Sequence, residues 1–226
     1  MTPAFWFDHN PQQGPTRSCK IGLSAREISM FEKAPMPVEL LDRTKSTPLI
    51  EVWYEIIQLK QLYRQGWIQR DIDPGSCETV AEHTFGNAML SLMLLPRHPE
   101  LDALRVLKMA LVHDVGEAYV GDITPLDNVP AEEKKAREAA AIQKILGKLP
   151  HGESLIEVWQ EYEAQESDEA KFVKQIDRLE FAMQASVYEH QGKIDGEEFY
   201  AKVAAQMTSP DLQNEMAVLR TLVGQK

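Results

Sequence analysis

Cysteine is scarce in this chain. Cys19 and Cys77 are the only two in 226 residues, and they form neither a CxxC pair nor a zinc-finger spacing. That speaks against a disulfide framework and leaves free, reduced thiols as the expected state. Long apolar runs are missing too: none approaches the roughly 18 consecutive residues of a membrane span. The N-terminal MTPAFWFDHNPQQ lacks a basic start followed by an apolar stretch, so no secretory signal is expected and the cytoplasm is the simplest location. Positive charge is in deficit, with 24 Lys and Arg against 35 Asp and Glu and a formal net charge of -11. Such a surface repels nucleic-acid backbones, so no grip on a DNA or RNA polymer is expected. A small phosphorylated substrate stays compatible, because a metal ion and a few basic residues reverse the field inside a pocket. Hairpin dipeptides flanked by alternating apolar residues are absent, and so are internal repeats.

What is present is helical periodicity. With 43% hydrophobic residues, the chain can bury one sizeable core. Residues 1–48, with Pro3, Pro11, Pro15, Pro35 and Pro37, read as an irregular extension with one short helix around Ser24 to Lys33. The domain proper is expected over residues 49–226. Pro48 sits where a first-turn proline belongs, and Leu49, Val52, Trp53, Ile56, Ile57 and Leu59 follow at helical spacing, with Trp53 read as core. Thr79-Val80-Ala81-Glu82 has the form of a capping box that opens a helix through Met89, Leu92 and Leu95. A third helix is expected from about Leu101 to Tyr119, with Leu104, Leu107, Leu111 and Val115 on one side. Further helices are expected after Pro130, with the 131–138 charge run facing water, then over Ser154 to Ala164, over Asp168 to His190, and after Ser209-Pro210. The fold class is all-α: a single helical bundle of six to eight helices.

The chemistry starts at His113-Asp114, within LVHDVGEAYVGD. Apolar neighbours place this pair in a buried setting, which is costly unless something satisfies both side chains; a divalent metal would. Imidazole and carboxylate together suit Mn, Fe, Co or Zn, whereas Mg prefers all-oxygen sets. Glu117 lies four residues after His113, and Gly121-Asp122 turns the chain just beyond. His83 lies on an earlier helix and Asp177 at the edge of the apolar face of a later one. Four ligands, His83, His113, Asp114 and Asp177, would thus come from three helices and leave positions open for water and substrate. Each alone has a commonplace explanation as a helix histidine or a surface carboxylate, and the weight lies in the combination. His9, His98, His151 and His190 fall in the extension, in turns or at a helix end, and are read as solvent-facing. Arg64, Trp67 and Arg70 come shortly before His83, where arginine forks would hold phosphate oxygens. Lys171 and Lys174 are read as surface residues.

At these residues the sequence resembles the HD-domain 5′-deoxynucleotidase family. The resemblance covers roughly residues 49–222 and rests on RxGWxxR, on AEHT, on LVHDVGEAYVGDITPxDNVPxEEKxxRE and on EYEAQESDEAKFVKQID. It implies an HD-domain bundle that hydrolyses deoxyribonucleoside 5′-monophosphates with one divalent transition metal per subunit (Co, Mn, Zn or Fe, less readily Mg). It assigns His83, His113, Asp114 and Asp177 as metal ligands, Glu117 and Asp122 as catalytic carboxylates, and Arg64 and Trp67 as substrate contacts. It also implies a homodimer, for which the sequence offers apolar residues in the extension and the late helices. Two other functions stay open at this point. One is an HD phosphohydrolase acting on a cyclic, polyphosphorylated or pathway-specific nucleotide. Hydrolases of hyperphosphorylated nucleotides resemble a pattern with a second acidic residue after the HDxxE glutamate, where this chain has Ala118. The other is a non-catalytic, metal-stabilised scaffold, which would need neither Glu117 nor Asp122.

Overall fold

The computed structural model describes residues 32–34 and 36–223. Among them, eight α-helices of nine residues or more follow one another: α1 Pro48–Ile56, α2 Val80–Leu94, α3 Ala103–Val112, α4 Ala131–Leu146, α5 Glu153–Ala164, α6 Asp168–His190, α7 Glu197–Gln206 and α8 Pro210–Val223. Two one-turn helices, Gln65–Ile68 and Glu117–Val120, sit between them. The described residues contain no sheet, only the isolated bridges Glu32–Leu62 and Tyr63–Thr79. The expected short helix lies outside the described residues up to position 31, and Lys33 is not helical. None of the described helices is long and apolar enough to cross a membrane.

Local chemistry sets most boundaries. Thr47 caps α1 ahead of Pro48. Thr79 and Glu82 exchange both hydrogen bonds of a capping box at the start of α2. Ser167 accepts from Ala170 N–H and opens α6. α7 has glycine, Gly196, at its cap position, and its first N–H is taken instead by Asp195 (3.1 Å), so the sequence carries only a weak signal for this helix. α6 is the central element and packs on α2, α3, α5, α7 and α8. Its Val173, Ile176, Leu179, Ala182 and Ala185 are wholly buried. Cys77 is buried and free, and burial pushes its thiol up to about 12.

Several sequence expectations are corrected. The third helix does not run to Tyr119. α3 ends at Val112, because the Trp159 indole N–H takes the His113 carbonyl (3.1 Å) and Glu117 N–H turns to Asp114 O instead. On α3 the buried residues are Val106, Met109, Ala110 and Val112, whereas Leu104 (63%) and Leu111 (54%) are exposed. Trp53 is 54% exposed, with Lys60 over its ring. Met89 and Leu92 also face outward, because α2 turns the polar stripe Thr84, Asn87 and Ser91 inward together with His83. His98 is not solvent-facing: Asp211 holds its Nε2 at 2.8 Å and Phe172 lies against its ring. His151 and His190 are exposed, and His9 lies outside the described residues.

Candidate active site

His83 comes from α2, His113 caps the end of α3, Asp114 follows it, and Asp177 comes from α6. His83 Nε2 lies 3.1 Å from Asp177 Oδ1 and 3.7 Å from Asp114 Oδ2, and His113 Nε2 lies 3.1 Å from Asp114 Oδ2. Both imidazoles are fixed from behind. His113 Nδ1 donates to the Ala110 carbonyl at 2.9 Å, and His83 Nδ1 meets Glu180 Oε2 at 2.5 Å. A carbonyl can only accept, so His113 carries its proton on Nδ1 and presents a bare Nε2. Both Nε2 atoms and Asp114 Oδ2 are buried and unpaired by hydrogen bonds, and they point at one another. Orphaned donor atoms of this kind fit a divalent cation, and His83, His113 and Asp114 can offer ligand atoms within 4.8 Å of one another.

The electrostatics agree with that fit. Burial and Arg64 oppose a charged His83, yet the carboxylates of Asp177 and Glu180 against its two ring nitrogens outweigh them and push its pKa up to about 10. Burial opposes ionisation of Asp177, but Lys174 and His83 hold its carboxylate well below the usual range. Asp114 is held low in the same way by His113, His83 and Arg64. Carboxylates held ionised beside two imidazoles make this a cluster that favours a cation.

Beside it opens a cleft of about 380 Å³. Glu117 is buried with Oε2 unpaired, and burial reinforced by Asp114 and Asp122 pushes its carboxyl well above the usual range. The one-turn helix bearing Glu117 is tied to α1 by the Tyr119 hydroxyl, which donates to buried Glu55 (2.5 Å), itself paired with Lys148. Gly121 then takes a φ of 81°, open to glycine, and swings Asp122 into the cleft. There Asp122 accepts from Gln65 N–H at 2.7 Å and from Arg64 Nη1 at 3.1 Å. Arg64 also lies 3.9 Å from Asp114, so it borders the His–Asp cluster.

Trp67 and Arg70 reach the same cleft. Trp67 is 1% exposed, donates its indole N–H to Glu78 (2.7 Å) and stacks on Phe181 with ring centroids 4.5 Å apart, so it is a rigid wall. Arg70 donates to the Gly66 carbonyl at 2.8 Å and lies over the Phe199 ring.

Five further residues lie at the site. Lys174 is not a bland surface residue: it borders the cleft and donates to Asp177 (3.0 Å) and Tyr162 (3.1 Å). Within the 131–138 run, Lys134 does not face water alone; it lines the cleft and donates to the Ile123 carbonyl at 3.0 Å. Glu180 and Phe181 are two more. Lys174, Glu180 and Phe181 stand at −3, +3 and +4 from Asp177, so helical spacing alone placed them on its face. Lys202 of α7 also lines the cleft, which collects five cations in a chain of net charge -11.

Residues 56–219 match the family model described as HD domain. The chain is 39% identical over 168 residues to the 5′-deoxynucleotidase HDDC2 of Mus musculus, covering 73% of this chain and 82% of that protein. It is 40% identical to the Homo sapiens protein of the same name, covering 69% and 76%. It is 34% identical to the 5′-deoxynucleotidase hdd1 of Schizosaccharomyces pombe, covering 70% and 79%. Among solved structures it resembles a Pyrococcus horikoshii protein (TM-score 0.64, 29% identity, 78% of this chain and 98% of that one). It also resembles a predicted metal-dependent phosphohydrolase from Magnetospirillum magnetotacticum (TM-score 0.59, 25% identity, 79% and 94%).

Proposed function

The chain belongs to the HD-domain family of 5′-deoxynucleotidases, and from that premise we propose how it removes the 5′-phosphate of deoxyribonucleoside 5′-monophosphates. The observation that carries the proposal is the convergence of unpaired His83 Nε2, His113 Nε2 and Asp114 Oδ2 beside a cleft lined by cations. His83, His113, Asp114 and Asp177 would hold one divalent transition metal, Co, Mn, Zn or Fe by the nature of the donors. When bound, such an ion polarises the phosphate and makes nearby water more acidic.

The chain's own residues do the rest. Arg64, pinned by Asp122, offers its guanidinium to the phosphoryl oxygens as their charge grows, and Lys174 and Lys134 add to the field. Glu117 and Asp122 divide the proton work: one takes a proton from the attacking water and the other supplies one to the departing 5′ oxygen. The free Oε2 of Glu117 is available for such an exchange. Arg70 borders the outer cleft, Trp67 forms a wall for the deoxyribose, and Leu126 with Phe181 offers the base an apolar surface. We place the functional unit at residues 49–226, after an extension of residues 1–48, and the protein in the cytoplasm. We also propose a homodimer. Phe85, Met89, Leu92 and Met93 recur on one exposed face of α2, Leu104 and Leu111 are exposed on α3, which packs against α2, and exposed apolar side chains of this kind favour a partner.

Chelator-stripped protein, re-supplied with Co, Mn, Zn or Mg in turn, should release phosphate from deoxyribonucleoside 5′-monophosphates and poorly from ribonucleotides and 3′-monophosphates. Release from no monophosphate with metal still bound would overturn the proposed chemistry.

A further inference from the structure

Two residues behind His83 have no part in the chemistry above. Glu180, 8% exposed, meets the Nδ1 side of the His83 ring with its Oε2 at 2.5 Å. Gly86 sits in the middle of α2, where glycine is the least favourable residue after proline. A Cβ built on Gly86 would lie 2.5 Å from Glu180 Oε1 and 3.1 Å from Glu180 Cδ and Cγ. Real Cβ atoms do not approach so closely, so only glycine admits the carboxylate as it stands.

The pairing follows from helix geometry. On α2 the ligand His83 and the gap at Gly86 are three residues apart, and on α6 the ligand Asp177 and the acceptor Glu180 are also three apart. Residues at that spacing share a helix face, so the crossing of α2 and α6 sets ligand against ligand and gap against carboxylate. His113 differs, since its Nδ1 is held by a neutral carbonyl. A carboxylate acceptor does more than a carbonyl. It locks the ring, keeps the proton on Nδ1 and makes Nε2 a stronger donor to a metal.

We propose that Glu180 is a positioning residue that directs the His83 Nε2 lone pair at the metal, and that Gly86 is glycine in order to admit it. The inference rests on His83 being a metal ligand, as proposed above. Glu180 borders a second cavity on the side away from the ligands, lined also by Gly86 and Gln184. In Gly86→Ala the methyl would push the flexible end of Glu180 into that space and part it from His83 while the helix persists. That variant should therefore gain helix stability and lose metal affinity together, a combination that a purely structural role would not produce.

The test is competition for Co²⁺ between the full-length protein and a chromophoric chelator, read with the visible spectrum of bound Co²⁺ and with thermal unfolding. Glu180→Gln, nearly the same shape, and Gly86→Ala are each expected to weaken Co²⁺ binding by about 10–100-fold and to alter the spectrum, with helicity kept. His83→Gln is the control and should lose the metal. If His83→Gln loses Co²⁺ while Glu180→Gln stays within roughly two-fold of wild type, the role of Glu180 is overturned. A normal Gly86→Ala beside a weakened Glu180→Gln overturns the assignment of Gly86 alone. If His83→Gln binds like wild type, the ligand assignment falls and this inference with it.

Discussion

Asp122 is gripped at both oxygens, by the Gln65 amide and by Arg64 Nη1, and it is itself 8% exposed. None of the proposed metal ligands is among its hydrogen-bond partners, so its loss should separate chemistry from metal binding. Asp122→Ala is expected to lower turnover by about 10²–10⁴-fold while metal content stays near normal, checked by phosphate release and elemental analysis. Turnover within a few-fold of wild type would remove Asp122 from the mechanism. Individual residues were legible where several unusual ones recurred together, as with His83, His113, Asp114 and Asp177. They were illegible where one common residue took an uncommon place. Nothing in the composition of α6 marks Lys174 or Glu180, and only their spacing from Asp177 does.

The start of α2 decides where His83 points. Thr79 Oγ1 accepts from Glu82 N–H, and Glu82 Oε2 accepts from Thr79 N–H at 2.7 Å and from its hydroxyl at 2.8 Å. Thr79→Ala removes both side-chain bonds of Thr79 and should destabilise the fold by about 1 kcal/mol, seen as a lower midpoint in urea with an unchanged slope. An unchanged midpoint would mean that tertiary packing alone holds the first turn. Caps and first-turn prolines were readable because they act through neighbours within four residues. The end of α3 was not, because a tryptophan 46 residues away takes the carbonyl that would have continued the helix. The apolar stripe of α2 also misled, since the buried side of this helix is the polar one that serves the site.

At the scale of the molecule, an acidic chain gathers five cations around the carboxylates Asp114, Glu117, Asp122 and Asp177 in one cleft and exposes apolar residues on α2 and α3. Arg64, Arg70, Lys134, Lys174 and Lys202 line the cleft, while the formal charge of the whole is -11. The exposed apolar face of α2 is where the proposed second copy would sit. Leu92→Glu combined with Met93→Glu buries charge in such an interface, so sedimentation should show a dimer for wild type and a monomer for the double variant. A wild-type monomer at micromolar concentration would overturn the dimer. A double variant that sediments as a dimer would remove this face of α2 from the interface.

By itself the sequence determined the helical class, most helix starts and the four residues that meet at the proposed metal position. Periodicity, caps and a rare combination of His and Asp are properties of neighbouring residues, and they need no fold to be read. Tertiary structure alone decided which stripe of α2 and α3 faces inward, where α3 stops, and that Glu180 fits behind His83 because residue 86 has no side chain. Those outcomes depend on which helices cross and how closely, and the contacts that set them join residues tens of positions apart.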